Sequence, residues 1–349
     1  MKWFGEAASC AVIIFATTGC GGNAFTSGQD TDSDAGDEAG AAPNADQACG
    51  DNAKARCTRI QQCSQALMAT TYVDEGTCET RFKLSCLNSL AVAGTGNNPQ
   101  ATEACAAAYP TESCDDFLDD NPPAACLQVK GPRANGGTCG FPGQCQTGFC
   151  AIVPGSECGA CAPVPQAGDS CTQLTTCGQL LSCWSESSLC TGFASQGGVC
   201  NKDQPCGAGL YCVGSTSTIN GTCEPSVETL NAPCDSTAKT GPGCDRNELL
   251  TCSGVTDQCA TVSFAGAGQP CGTVNEQLVL CAAAGTCTAT TADAGVTTAA
   301  TETCVAAAAD GAQCDLVQGP FCITPARCIS TIAGGSVGTC QFPDPTKCQ

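Results

Sequence analysis

Thirty-six cysteines and no histidine stand in a chain of 349 residues. Thiols at that density can do three things: hold soft metals, exchange electrons, or crosslink the chain. Spacing separates these uses. A zinc site uses two close Cys-x2-Cys pairs separated by a loop, and only Cys158-Gly-Ala-Cys161 has that spacing. A redox reading of the same pair needs a strand-helix-strand context, which its surroundings lack. The missing histidine removes Ser-His-Asp triads, Cys-His pairs and His-ligated metals. Two acidic constellations remain. Asp115-Asp116 and Asp119-Asp120 lie four apart ahead of Pro122-Pro123, a spacing that predicts one solvated face of a short helix. Asp30-x-Asp32-x-Asp34 begins like a calcium loop, but the sixth and twelfth positions hold Ala35 and Ala41, where Gly and Glu are required. No catalytic, cofactor or metal residue is assigned. The cysteines read as structural.

The N-terminus places them outside the cytoplasm. Lys2 precedes an uncharged, largely apolar stretch from Ala7 to Gly19, too short for a membrane span and suited to a signal peptide. Thr17-Thr18-Gly19-Cys20 resembles the lipobox of bacterial lipoproteins, which implies lipidation of Cys20. Cys10 leaves with the signal. The remaining 34 cysteines are even in number, enough for 17 bridges in an oxidising compartment. Residues 20–48 read as a disordered acidic tether, with six acids, one aromatic and no Lys or Arg. The formal charge of −20 argues against nucleic acid or anionic lipid as an electrostatic partner.

Residues 49–130 carry a helical pattern. Cys49, Ala53, Cys57, Ile60, Cys63 and Leu67 share one helical face, and Cys78, Phe82, Cys86 and Leu90 share another. Asn98-Pro99 marks a helix start, and a short helix is expected over 113–118. With Cys105, Cys114 and Cys126, eight cysteines staple this small bundle by four bridges. Eight cysteines allow 105 pairings. Arg56 and Arg59 fall at the edge of the apolar stripe and are expected on a solvated face.

From 131 the helical period gives way to turn residues and regularly spaced cysteines. Six units emerge. The first holds Cys139, Cys145 and Cys150, the second Cys171, Cys177, Cys183 and Cys190, and the third Cys200, Cys206, Cys212 and Cys223. Looser units follow: Cys234, Cys244, Cys252 and Cys259; Cys271, Cys281, Cys287 and Cys304; and Cys314, Cys322, Cys328 and Cys340. Cys158 or Cys161 completes the first unit, and the other is an extra, as is Cys348. Units this small need disulfides to fold. The fold class is therefore a small disulfide-rich, multi-domain protein: a disulfide-stapled α-helical module followed by tandem irregular β/turn cysteine-rich repeats, over 131–225 and, more divergent, 226–349.

The C-x5-C-x4/5-C spacing, the Gly136-Gly137-x-Cys139 and Gly197-Gly198-x-Cys200 lead-ins and the Gly209-Leu210-Tyr211-Cys212 approach carry a resemblance. Residues 136–223 resemble the Dickkopf N-terminal cysteine-rich domain as repeated in cell-surface lipoproteins of the myxobacterial type. The resemblance implies a cysteine frame and not the signalling activity of animal members. The expectation is a non-enzymatic, lipid-anchored protein of the outer membrane or cell surface, serving as a binding or adhesion module for an extracellular protein or glycan. The alternative is a structural envelope or stalk spacer. A protease inhibitor or metal-binding protein ranks below both. Exposed Phe149, Trp184, Phe193 and Tyr211 would favour binding, whereas packing on disulfides would bury them.

Overall fold

A computed structural model describes residues 42–171, 177–184, 187–216, 218–275, 277–289, 302–332 and 335–349. Cys20, most of the tether and the Asp30–Asp34 run lie outside these residues. Among the described residues five α-helices are followed by small sheets of two or three strands. Among the described residues no helix is long and apolar enough to cross a membrane.

The helices form a hub. Helix α1 (Ala45–Cys63) begins inside the expected tether, because the Asn44 side chain accepts the Gln47 N–H and Asp46 sits in the first turn. Its buried face is Ala48, Cys49, Ala53, Cys57, Ile60 and Cys63. The apolar stripe does not continue to Leu67 in one helix. Ser64 ends α1 by donating its N–H to the Ile60 carbonyl, and its hydroxyl accepts the Leu67 N–H to start α2 (Gln65–Thr71). Asp74 caps α3 (Glu75–Ala91), Asn98 caps α4 (Pro99–Ala108) and Ser113 caps α5 (Cys114–Leu118). Cys49–Cys86 and Cys57–Cys78 staple α1 to α3, and Cys63–Cys114 staples α1 to α5. Cys105–Cys126 closes the end of the module. Between α1 and α3 lies an ordinary apolar core of Ile60, Met68, Tyr72 and Phe82 around the Cys57–Cys78 bridge.

The six units share one frame. In each, the first cysteine bonds the third and the second bonds the fourth. The first unit has Cys139–Cys150 and Cys145–Cys161, and the pattern repeats through Cys314–Cys328 and Cys322–Cys340. The third and fourth cysteines face each other across an antiparallel hairpin, as in Cys150↔Cys161, Cys252↔Cys259 and Cys328↔Cys340. Each then reaches back to an earlier cysteine instead of its neighbour. Three residues before the first cysteine stands a residue with positive φ: Gly136, Gly168, Gly197, Asn231, Gly268 or Gly311. Its N–H donates to the carbonyl of the fourth cysteine at 2.7–2.9 Å in all six units. A Cβ on any of these five glycines would meet nothing within 4 Å. Their backbone angle therefore calls for Gly, and Asn is the residue that best tolerates the same angle. The looser units thus keep the frame of the tighter ones.

The units do not trail away from the hub. They encircle it. Gly96 N–H donates to the Gly143 carbonyl, and Gln144 Nε2 to the Ala93 carbonyl, tying the first unit to the end of α3. Leu180 N–H of the second unit reaches the Asp120 carbonyl, and Ala208 N–H of the third reaches Asp119 Oδ1 at 2.8 Å. In the fifth, Ala283 and Ala284 donate to the Ala69 and Thr70 carbonyls on α2. The sixth is held by Arg81, which forms a bidentate pair with Asp310 at 3.0 Å, donates to the Thr324 and Ile323 carbonyls, and lies 4.9 Å from the Phe342 ring centroid. Sixth and first units then meet. Cys158 bonds Cys348 across 190 residues, Ser330 N–H donates to the Gly155 carbonyl, and Lys347 pairs with Glu157.

Candidate functional site

All 34 cysteines assigned to bridges from the sequence lie in the 17 disulfides described above. Cys161 is the fourth cysteine of the first unit and Cys158 the extra one, so the lone Cys-x2-Cys belongs to two different bridges. Sulfur triplets such as Cys139, Cys145 and Cys161 crowd within 4.8 Å. A metal would need thiolates, and each of these sulfurs is already in a disulfide.

None of the four aromatics is fully exposed. Phe149 is buried, and Trp184, Phe193 and Tyr211 are partly covered. Tyr211 lies against Gly243, where even a Cβ would come within 2.4 Å of its ring, so it fills the seam between the third and fourth units. Aliphatic residues take the exposed positions instead. Val153, Ile219, Val255, Val317 and Ile332 are 60–73% exposed, all on loops of the ring. Val153 and Val317 flank one seam: a Cβ at Gly155 would sit 3.6 Å from Leu316 Cδ1 and 3.5 Å from Ser330 Cβ.

The acidic pairs are not one solvated face. Asp119 turns to the third unit, and burial lifts its carboxyl to about 6 against the Ala208 hydrogen bond that lowers it. Asp120 has φ +56°, in the left-handed region that Asp tolerates, and it lines an internal cavity. Burial raises its pKa, while Arg56 acts to lower it.

That cavity, about 40 Å3, lies among α1, α2, the segment around α5 and the sixth unit, which contributes Thr324. Arg56 is at its centre and not on a solvated face. Its guanidinium carbon lies 4.9 Å from the Phe82 centroid and 5.8 Å from those of Tyr109 and Phe117, and Nη1 donates to the Tyr109 hydroxyl at 2.7 Å. Burial works against its charge, but Tyr109, Tyr72 and Asp120 outweigh this and raise its pKa. Tyr72 is pushed to about 12, chiefly by burial. Arg59 donates to the Glu112 carbonyl. Glu112 is 8% exposed, and burial lifts its carboxyl to about 7 in spite of Arg56 and Arg59. Arg56 Nε, Thr71 Oγ1 and Glu112 Oε2 are sealed from solvent without a hydrogen-bond partner. A charged residue on the edge of an apolar stripe is the only trace of this site in the sequence.

Comparison of the chain with models of protein families, with curated proteins and with solved structures finds no match.

Proposed function

We propose that this chain is a non-enzymatic, exported cell-surface protein that binds an extracellular protein or glycan through the loops of its ring. The observation that carries this reading is the set of large aliphatic residues held at exposed loop positions of crosslinked units, with Val153, Ile219, Val255, Val317 and Ile332 foremost. Apolar side chains kept rigidly in water lose little conformational freedom when a partner covers them. A stalk spacer would stack its repeats end to end, whereas here the last unit returns to the first through Cys158–Cys348. That closure favours the binding reading. The repeated lead-in and the shared bridge pattern support six related units on one frame, and the resemblance to Dickkopf-type repeats is proposed for that frame alone, without its signalling role.

We infer further that Cys20 carries the lipid anchor, with the acidic tether between it and the hub. A Cys20→Ala variant should leave the membrane fraction. Retention there would remove the anchor from the proposal. Binding is tested by proximity labelling at the cell surface, wild type beside a Val317→Asp/Ile332→Asp double variant. Both residues are exposed, so the variant should keep its melting midpoint and lose part of its labelled partner set. Identical partner sets at equal surface abundance would speak against recognition by this seam.

A further inference from the structure

The cavity around Arg56 presents a charge with no direct ion pair, Asp120 acting on it from farther off. Four ion pairs are found among the described residues, and Arg56 is in none of them. A guanidinium withdrawn from water is normally matched by an anion or by acceptors on each N–H. Here Nη1 has the Tyr109 hydroxyl and the aromatic rings cover part of the charge, but Nε has no acceptor. The Thr71 hydroxyl is equally without a partner, and Thr71 lines the same cavity. Two residues with unused donors, one of them cationic, therefore line one small space.

The space sets the size of what can enter. About 40 Å3 accommodates about three water molecules, which is also the scale of an anion with three or four heavy atoms. Phe82 and Phe117 also line the space and supply apolar surface suited to a methyl group or hydrogen. We propose that the cavity is a binding site for one small monocarboxylate, formate or acetate in size, whose oxygens accept from Arg56 Nε and Thr71 Oγ1.

Glu112 fits this arrangement. Its Oε2 is the third atom without a partner, and burial favours its protonated form. A protonated carboxyl can donate to the ligand, where an ionised one would repel it. Arg56, Arg59, Asp116 and Asp120 are the charged groups acting on Glu112. Asp120 lines the cavity too, and its charge limits the site to a single negative ligand. The proposal does not rest on the binding role assigned to the ring loops.

The test uses the oxidised full chain, with 13C-labelled formate and acetate observed by NMR line broadening and by calorimetry, and chloride at matched ionic strength as the control. Saturable binding of one acetate per chain is expected, in preference to chloride. Thr71→Val keeps the shape and removes one donor, and should weaken acetate about tenfold, the effect of a single hydrogen bond. Arg56→Gln should abolish binding. Should that variant fail to fold, Thr71→Val, checked by near-ultraviolet circular dichroism, carries the test alone. No saturable binding, equal binding of chloride, or unchanged affinity in folded Thr71→Val would overturn the proposal and leave the cavity to water.

Discussion

Hub and ring use the same covalent device for different physical ends. In the hub, disulfides cross-brace helices that already enclose Ile60, Met68, Tyr72 and Phe82. Burying such side chains stabilises by about 1.5–3 kcal/mol each. In the ring, the buried clusters are largely the cystines themselves, such as Cys139, Cys145, Cys150 and Cys161, or Cys171, Cys177 and Cys190. There the sulfur is the core. The contrast teaches that a high cysteine content does not imply one mode of stabilisation. What matters is whether an apolar core persists when the bridges are removed.

The largest effect that could break this comparison comes from deleting one bridge in each region. Cys206→Ser/Cys223→Ser removes half the core of the third unit. It should cost about 3 kcal/mol and open proteolytic sites within 194–225. Cys49→Ser/Cys86→Ser should lower the melting midpoint yet keep the helical circular dichroism, because the apolar cluster remains. A single cooperative loss of all structure in both variants would mean that hub and ring are not distinct.

A smaller effect is expected where the two regions join. Arg81 is buried and Asp310 is half-exposed. Arg81→Leu should therefore cost about 2–3 kcal/mol, below the range for a fully buried pair. It should raise hydrogen exchange in the sixth unit before that in α1. Uniform exchange throughout would show that the sixth unit is not docked through Arg81.

The smallest effect sharpens the description of the frame. Gly197→Ala should cost about 1 kcal/mol, because φ is +77° there while space is free. Gly266→Ala, equally unhindered and without a positive φ, should be neutral or slightly stabilising. Equal midpoints for the two variants in thermal melts would remove the left-handed angle as the reason for glycine.

Much of the hub was legible because a helix repeats its neighbours every three to four residues. Cys49, Ala53, Cys57, Ile60 and Cys63 stand out by period alone and line the buried face of α1. The unit frame was legible for a related reason, since spacing and the Gly-x-x-Cys lead-in recur along the chain. Three features were not. Arg56 sits in the core because rings from α3, α5 and the Tyr109 turn converge on it, and no local pattern encodes that convergence. Asp119 and Asp120 read as solvated by composition, but loops from the second and third units bond to them. The Cys158–Cys348 pairing joins residues with no shared period, so the sequence could only place both outside the repeating fours.

That pairing also imposes an order on biosynthesis. A chain made from its N-terminus exposes Cys158 long before Cys348 exists, and the first five units can complete their own bridges in the interval. Cys158 must wait as a thiol, open to mixed disulfides with any small thiol or oxidoreductase nearby. Its state is thus a chemical timer for the whole molecule. A chain cut short between Cys340 and Cys348 carries one alkylatable sulfur, that of Cys158, and a finished one carries none among its 34 bridged cysteines.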